Sequence, residues 1–188
     1  MDTALLVGES VLEIVNGVGA GHMSDVNLDP RVVEAFHLQF PGVKGEFTDF
    51  LRQRPDPEQL RGIISGVKGK LFEMSHADYL NSHILPDGYI ARLAESPTQP
   101  GYDIVIEGPD HHYDYLQDKF TDSMSILKEA VKRWPDIDVA VPHEVAAQVK
   151  DPDLITHVID AGISGDALAN KVEHSVDLAD TDYGWHFP

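Results

Sequence analysis

The chain has 188 residues, 42% of them hydrophobic and 24% charged, a composition typical of a globular domain and not of a disordered or fibrous protein. It contains no cysteine, which excludes disulfides, thiolate zinc sites and a cysteine nucleophile. The formal net charge of −18 disfavours a nucleic-acid partner, because proteins that bind nucleic acids usually neutralise phosphates with lysine and arginine.

The first third of the chain is predicted to be helical. Apolar residues recur at helical spacing near the N-terminus, until the glycine-rich segment Gly17–Gly21. Asp29 followed by Pro30 is a typical start of a second helix. Helices are predicted over residues 3–17, 29–40, 47–51 and 57–64. We expect these elements to form a helical N-terminal region over residues 1–61.

A longer helix is predicted over residues 62–81, with an apolar stripe along one side. Gly66, Gly69 and Glu73 follow a different line along this helix, and Glu73 is the carboxylate on that line. Each glycine costs about 1 kcal/mol relative to alanine inside a helix, so a packing or functional reason is indicated. We expect another backbone to approach closely at the glycines.

From residue 86 the apolar residues follow the period of strands. Strands are predicted over residues 88–94, 102–107, 113–121 and 137–141, with a hairpin turn at 108–112. Helices are predicted over residues 123–133, 142–149 and 164–180, and the segment 153–163 is either a strand or a helix. This order is typical of an α/β fold. We predict a domain over residues 62–188 with a central mixed sheet flanked by helices and a helical C-terminal tail.

Three polar residues of different types fall on neighbouring predicted strands. Alternate residues of a strand share a face, so Gln117 and Lys119 point one way and Asp118 points the other. Antiparallel pairing across the hairpin turn brings Asp103 beside Gln117 and Lys119. An acid, an amide and an ammonium group at one sheet edge indicate metal-assisted phosphodiester chemistry.

This arrangement resembles the restriction-endonuclease-like superfamily, the PD-(D/E)xK nucleases, and in particular its Gln-x-Lys variants. The resemblance covers about residues 66–149, where a helix with an acid, a strand with an aspartate, a strand with Gln-x-Lys, a helix and a strand follow in that order. The segments Lys70–Glu73, Thr98–Asp103 and Leu116–Ser123 are also similar to a group of bacterial proteins with this layout.

The resemblance implies a role for each of the four residues. Glu73 would be the helix acid, Asp103 the principal metal ligand and Gln117 a second ligand through its carbonyl. Lys119 would orient or polarise the attacking water. The implied cofactor is Mg²⁺ or Mn²⁺, which prefers oxygen ligands and stabilises charge on a transferring phosphate. With Gln117 in place of a carboxylate the site is expected to be weaker, and Asp118 does not compensate because it faces the other side.

Three functions are compatible with these observations. The first is a metal-dependent nuclease, for example a toxin or defence effector, with a basic trough near Lys68, Lys70 and Lys119 that offsets the net acidity. The second is a catalytically inactive protein-interaction module of the same fold. The third is an acidic immunity or DNA-mimic protein. A protein partner or larger assembly is plausible, and no membrane partner is expected. A cytoplasmic location is expected, because no stretch is apolar enough for a signal peptide or membrane span.

The histidines offer weaker candidates for a functional site. His111 and His112 lie in the predicted turn, where a solvated loop is expected. His76 and His83 are expected to be ordinary surface histidines. His143 follows a predicted strand, so it is a candidate for a supporting role near a site at the carboxyl ends of the strands. Neither a phosphate-binding glycine loop after a strand nor a Gly-x-Ser-x-Gly motif is present.

Overall fold

The computed structural model describes residues 28–53, 56–96 and 99–181. The predicted helix over residues 3–17 and the segment Gly17–Gly21 lie outside these ranges. Among the described residues, no helix combines the length and the apolar character that crossing a bilayer requires.

Within these ranges the chain forms seven α-helices and five strands. The helices are α1 (Pro30–Gln39), α2 (Phe47–Arg52), α3 (Pro57–Tyr79), α4 (Met124–Arg133), α5 (His143–Ala146), α6 (Pro152–Ile155) and α7 (Gly165–Thr181). The strands are β1 (Ile90–Leu93), β2 (Ile104–Glu107), β3 (Tyr113–Asp118), β4 (Asp138–Val141) and β5 (Val158–Asp160). The expected α/β class with a mixed sheet flanked by helices is confirmed.

The five strands form one sheet in the order β1-β2-β3-β4-β5. The pairs β1–β2 and β2–β3 are antiparallel, whereas β3–β4 and β4–β5 are parallel. Strand β2 therefore runs opposite to the other four. The carboxyl ends of β3, β4 and β5 meet at one edge of the sheet, and β2 begins at that edge.

Each face of the sheet is covered by a helix. On one face the buried side chains of Ala77 and Leu80 pack against Ile104 and Leu116 of the sheet. On the other face Leu127 and Ala130 of α4 pack in a cluster with Val139 and Val141 of β4. Because side chains alternate along each strand, the sheet has one apolar core on each face. The polar residues at the end of β3 face one core or the other.

The chain divides into two compact units by its contacts. The first contains the described residues up to Leu71 together with those from Leu168 onward, and the second spans residues 72–167. Phe36 is the centre of an aromatic cluster in the first unit, with ring centroids 4.7 Å from Phe47 and 6.2 Å from Phe50. The sheet and all four predicted site residues belong to the second unit.

Helix α3 is continuous where two helices were predicted, and it runs on into a π-helical turn, Leu80–Ile84. In this turn the side chain of Asn81 contacts the backbone of strand β1. Its Nδ2 donates to the carbonyl of Ala91 at 2.9 Å, and its Oδ1 accepts from the Ala91 N–H at 2.8 Å. The amide thus satisfies both backbone groups of one residue on the first strand.

Other local expectations differ from the structure in detail. The expected close approach of another backbone to the glycines of α3 is not found at Gly66 or Gly69 among the described residues. A Cβ at Gly66 would lie 3.1 Å from the ring of Phe40, and a Cβ at Gly69 would meet nothing within 4 Å among the described residues. The segment 153–163, predicted as either a strand or a helix, contributes both α6 and β5. Each predicted strand is shorter in the structure, and β3 ends at Asp118 instead of residue 121.

Candidate functional site

The candidate site lies where β3 ends and β2 begins. The Asp103 N–H donates to the carbonyl of Leu116 at 2.9 Å, which extends the antiparallel pairing of β2 and β3 by one residue. Oδ2 of Asp103 accepts a hydrogen bond from the Asp118 N–H at 2.9 Å. The same oxygen lies 3.7 Å from Nζ of Lys119. Two residues that are 16 positions apart in the sequence therefore meet at this edge of the sheet.

Gln117 faces the α4 side of the sheet, as its register partner Val139 does. Its side chain is 8% exposed. Oε1 is buried and has no hydrogen-bond partner among the described residues. A buried carbonyl without a partner costs about 1–3 kcal/mol, so such atoms are rare unless a ligand or an ion completes them. The structure thus places an oxygen donor without a protein partner on the face that carries Lys119.

Asp118 faces the opposite side, as the strand alternation predicts, and it contacts α3. Its two carboxylate oxygens lie 3.0 and 3.1 Å from Nδ1 of His76. Burial raises the pKa of the Asp118 carboxyl, and the hydrogen bond and charge of His76 oppose that rise. The expectation that His76 is a surface histidine is wrong, because its side chain is only 2% exposed and holds this carboxylate.

Glu73 lies on α3, three residues before His76 and therefore on the same side of the helix. The ring centroids of Phe72 and Phe120 are 5.8 Å apart, which places this turn of α3 beside the chain just after β3. Among the described residues no three histidine or acidic side chains gather closely enough to hold a metal ion. Glu73 therefore does not complete a three-acid site with Asp103 and Asp118.

An open cleft of about 190 Å³ adjoins this edge on the α4 side of the sheet. Gln117 and Lys119 line it together with residues of α4, from Ile126 to the C-terminal end of the helix. Trp134 lies at this end and packs on Gly101, where a Cβ would be 3.4 Å from the indole. Gly101 has φ +96°, a conformation that favours glycine. The indole thus rests on the backbone two residues before Asp103.

The donor set at this edge fits a divalent cation that prefers oxygen. Oδ2 of Asp103 is already used by the Asp118 N–H and Lys119, so Oδ1 is the oxygen left for an ion. The buried Oε1 of Gln117 is a second oxygen donor. Mg²⁺ is commonly held by only one or two carboxylates, with waters and substrate phosphates filling the other positions. One carboxylate and one amide carbonyl correspond to a weak site of this kind.

Other charged candidates have partners of their own. Nζ of Lys68 lies 2.7 Å from Oε1 of Glu173, and Lys70 is only 6% exposed. The expected basic trough is therefore not formed by these two lysines. Nδ1 of His143 lies 2.6 Å from Oδ2 of Asp160 at the carboxyl ends of β4 and β5. This hydrogen bond raises the pKa of the His143 imidazole.

His112 pairs with Asp114 at 3.0 Å in an exposed position, consistent with a solvated loop. The buried pair of His76 and Asp118 is the feature that sequence reasoning missed. The two residues are 42 positions apart, so no local spacing indicates the contact. The available signal was the inward orientation of Asp118, since a buried carboxylate needs a partner. Comparisons with protein-family models, with curated proteins and with solved structures found no match.

Proposed function

We propose that the protein is a metal-dependent hydrolase of phosphodiester bonds, a nuclease with a restriction-endonuclease-like core. The observation that carries the proposal is that Oδ2 of Asp103 lies 3.7 Å from Nζ of Lys119, on the face where Oε1 of Gln117 has no hydrogen-bond partner among the described residues. An anionic ligand oxygen, a neutral oxygen donor and a fixed cation are the groups that metal-assisted phosphoryl chemistry uses.

The order of elements supports the same assignment. Helix α3 with Glu73 precedes β2, which begins directly after Asp103, and β3 leads into Lys119. Helix α4 and strand β4 follow, and β4 pairs in parallel with β3. This is the order that the resemblance to the PD-(D/E)xK nucleases implies.

Each residue has a role that follows from its contacts. A bound Mg²⁺ or Mn²⁺ supplies stabilisation of the charge on the phosphate and a more acidic water. Oδ1 of Asp103 and Oε1 of Gln117 are the oxygens that would hold the ion. The Asp118 N–H fixes the orientation of the Asp103 carboxylate through its other oxygen, Oδ2. Lys119, whose Nζ also donates to the Asp118 carbonyl at 3.2 Å, places a positive charge beside the phosphate.

The net charge of −18 does not prevent this function by itself. At physiological ionic strength the Debye length is about 8 Å, so exposed carboxylates far from the site are largely screened. The charges that line the cleft are those of Lys119, Arg133 and Glu129, two positive and one negative. The cleft itself therefore carries one excess positive charge, next to the carboxylate of Asp103.

Cleavage assays on plasmid DNA and on RNA with Mg²⁺ or Mn²⁺ test the proposal. We expect cleavage that EDTA abolishes and that Asp103→Asn and Lys119→Met each reduce by about 100-fold or more, because each removes a group that acts on the reacting phosphate. Asp114→Asn and Lys132→Gln are matched controls that change the same charges at exposed positions away from the site.

Two outcomes would contradict this assignment. Cleavage that persists unchanged in both Asp103→Asn and Lys119→Met would show that the activity comes from elsewhere. The absence of both cleavage and Mn²⁺ binding in the unsubstituted protein would instead favour the inactive interaction module, a reading to which the amide at Gln117 also lends support.

A further inference from the structure

We propose that the cleft beside the candidate site binds one nucleotide of a single-stranded polynucleotide, with the base against Trp134 and its phosphate between Lys119 and Arg133. This inference rests on the proposed function and specifies its substrate. The cleft is lined by Gln117, Lys119, Ile126, Glu129, Arg133 and Trp134, among others.

The indole of Trp134 is held in place and still lines the cleft. Trp134 is the C-cap of α4, and its backbone N–H donates to the carbonyl of Ala130 at 3.0 Å. The ring rests on Gly101. Ile126, which is 46% exposed, adds an apolar wall to the same cleft. A fixed aromatic ring beside an apolar side chain is a surface on which a nucleobase stacks, whatever its sequence.

The charge of the cleft fits a phosphate. Arg133 forms no ion pair within the described parts of the chain, and its guanidinium carbon lies 6.0 Å from the centre of the Trp134 ring. Two other exposed cations of this unit are paired, Arg92 with Glu107 at 3.7 Å and Lys128 with Asp151 at 2.6 Å. Glu129 is the anion of the cleft and opposes binding of phosphate. A planar guanidinium without a carboxylate partner suits a phosphate, which it binds through two parallel hydrogen bonds.

The geometry favours a single strand over a duplex. A base lies against an indole only when it is unstacked from its neighbours, and a duplex must be opened locally before a base is exposed in this way. The cleft adjoins Lys119, so a phosphate bound there lies next to Asp103 and Gln117. A single strand thus places its backbone at the candidate site while one base occupies the cleft.

Fluorescence titration tests this inference separately from cleavage. The chain has two tryptophans, so the variant Trp185→Phe leaves Trp134 as the reporter. In EDTA and low salt, oligo(dT) and oligo(U) 12-mers are added. We expect saturable quenching of the indole by one or both oligonucleotides, with a self-complementary duplex of the same length binding about tenfold more weakly. Quenching by one of the two identifies the preferred class of polynucleotide, DNA or RNA, once oligo(dU) has shown that the thymine methyl group is not the cause.

Added variants locate the binding surface. In the Trp185→Phe background, Arg133→Gln is expected to weaken binding about tenfold and to lower the salt slope by about 0.7, the value for one phosphate of a single strand. Lys132→Gln removes the same charge at the adjacent exposed position and is expected to change affinity less than twofold. No quenching, or equal effects of the two variants, overturns the inference. Cleavage without quenching rejects this subsite alone, and quenching without cleavage rejects the nuclease alone.

Discussion

The two sides of the end of β3 differ in how their polar groups are satisfied. Asp118 and Gln117 are adjacent in sequence and nearly equally buried, at 6% and 8% exposure. Both oxygens of Asp118 contact His76, and its backbone N–H donates to Asp103. Oε1 of Gln117 has no partner within the described chain. The Asp118 side of the strand, called the completed side below, is an internal contact with all partners present. The Gln117 side, called the ligand-facing side because the proposed ion would bind there, holds a buried oxygen without a partner among the described residues.

This difference separates a structural role from a functional one by physical criteria. A buried group with all its partners stabilises the fold, and its loss is measured as unfolding free energy. A buried group without a partner costs stability, and an ion or ligand that binds it is one explanation for its presence. Substitutions on the two sides are therefore expected to have opposite effects on stability and activity.

On the completed side, the largest effect is expected from His76→Ala, which removes the contact of His76 with Asp118. The substitution leaves the Asp118 carboxylate buried without its partner, and breaking a buried pair in this way costs about 3–5 kcal/mol. We expect a loss of about 3 kcal/mol in the free energy of unfolding, measured by urea denaturation at neutral pH. His174→Ala, at an exposed position of α7, is the control and is expected to change stability by less than about 0.5 kcal/mol. Equal losses in both variants would refute the structural role of the pair.

The destabilisation caused by His76→Ala is also expected to depend on pH. Burial raises the pKa of Asp118 above its unfolded value of 3.8, so the protonated carboxyl is favoured in the folded state. Stability from this group is present below 3.8 and is lost as the pH rises through the folded pKa. The difference in unfolding free energy between the unsubstituted protein and His76→Ala is therefore expected to grow from acidic to neutral pH. A difference that does not vary with pH would contradict this reading.

The variant Gly101→Ala tests the packing of Trp134 on Gly101, which lies beside the ligand-facing side. A side chain at φ +96° is strained, and its Cβ would press on Trp134 at 3.4 Å. We expect a loss of about 2 kcal/mol in unfolding free energy, within the range for a residue forced into such a conformation. Gly69→Ala is the control with the opposite sign, because its Cβ would meet no described residue within 4 Å and alanine favours a helix by about 1 kcal/mol. A loss in Gly69→Ala equal to that in Gly101→Ala would show that local space is not what distinguishes them.

The variant Gln117→Met tests the role of the Gln117 carbonyl on the ligand-facing side. Methionine is of similar size and removes the carbonyl without a partner, so we expect a gain of about 1 kcal/mol in unfolding free energy. We also expect Mn²⁺ binding, measured by calorimetry, to be lost. The companion Gln117→Glu adds a carboxylate and is expected to tighten Mn²⁺ binding. Destabilisation by methionine together with unchanged Mn²⁺ binding would contradict the role of this oxygen.

The smallest expected effect on stability concerns the pair of His143 and Asp160 at the carboxyl ends of β4 and β5. The hydrogen bond that His143 donates to the Asp160 carboxylate raises the pKa of the His143 imidazole above 6.5. Stability from this contact is therefore present below 6.5 and lost as the pH rises through the folded pKa. NMR titration is expected to give a midpoint above 6.5 that returns toward 6.5 in Asp160→Asn. Glu144→Gln, whose carboxylate instead accepts from Ser164 at 2.5 Å, is expected to move the midpoint less. An unmoved midpoint in Asp160→Asn would exclude the pair in solution.

The sequence predicts the ligand-facing side better than the completed side. Strand alternation and the hairpin turn are local rules, and they are enough to bring Asp103 to Lys119 and to turn Asp118 away from them. The contact of Asp118 with His76 depends on how α3 packs on the sheet, which no local pattern specifies. The cleft depends on Trp134 and Gly101, which meet only after β2 and α4 are placed.

The hydrogen bonds of Asn81 affect whether the sheet can pair with strands of other copies of the protein. The outer edge of a sheet ordinarily offers free N–H and C=O groups to which a foreign strand can add. The amide of Asn81 occupies both groups of Ala91 on the first strand, and β5 at the far edge is only three residues long and ends in an aspartate. Neither border of the sheet is therefore a good template for growth into intermolecular fibrils.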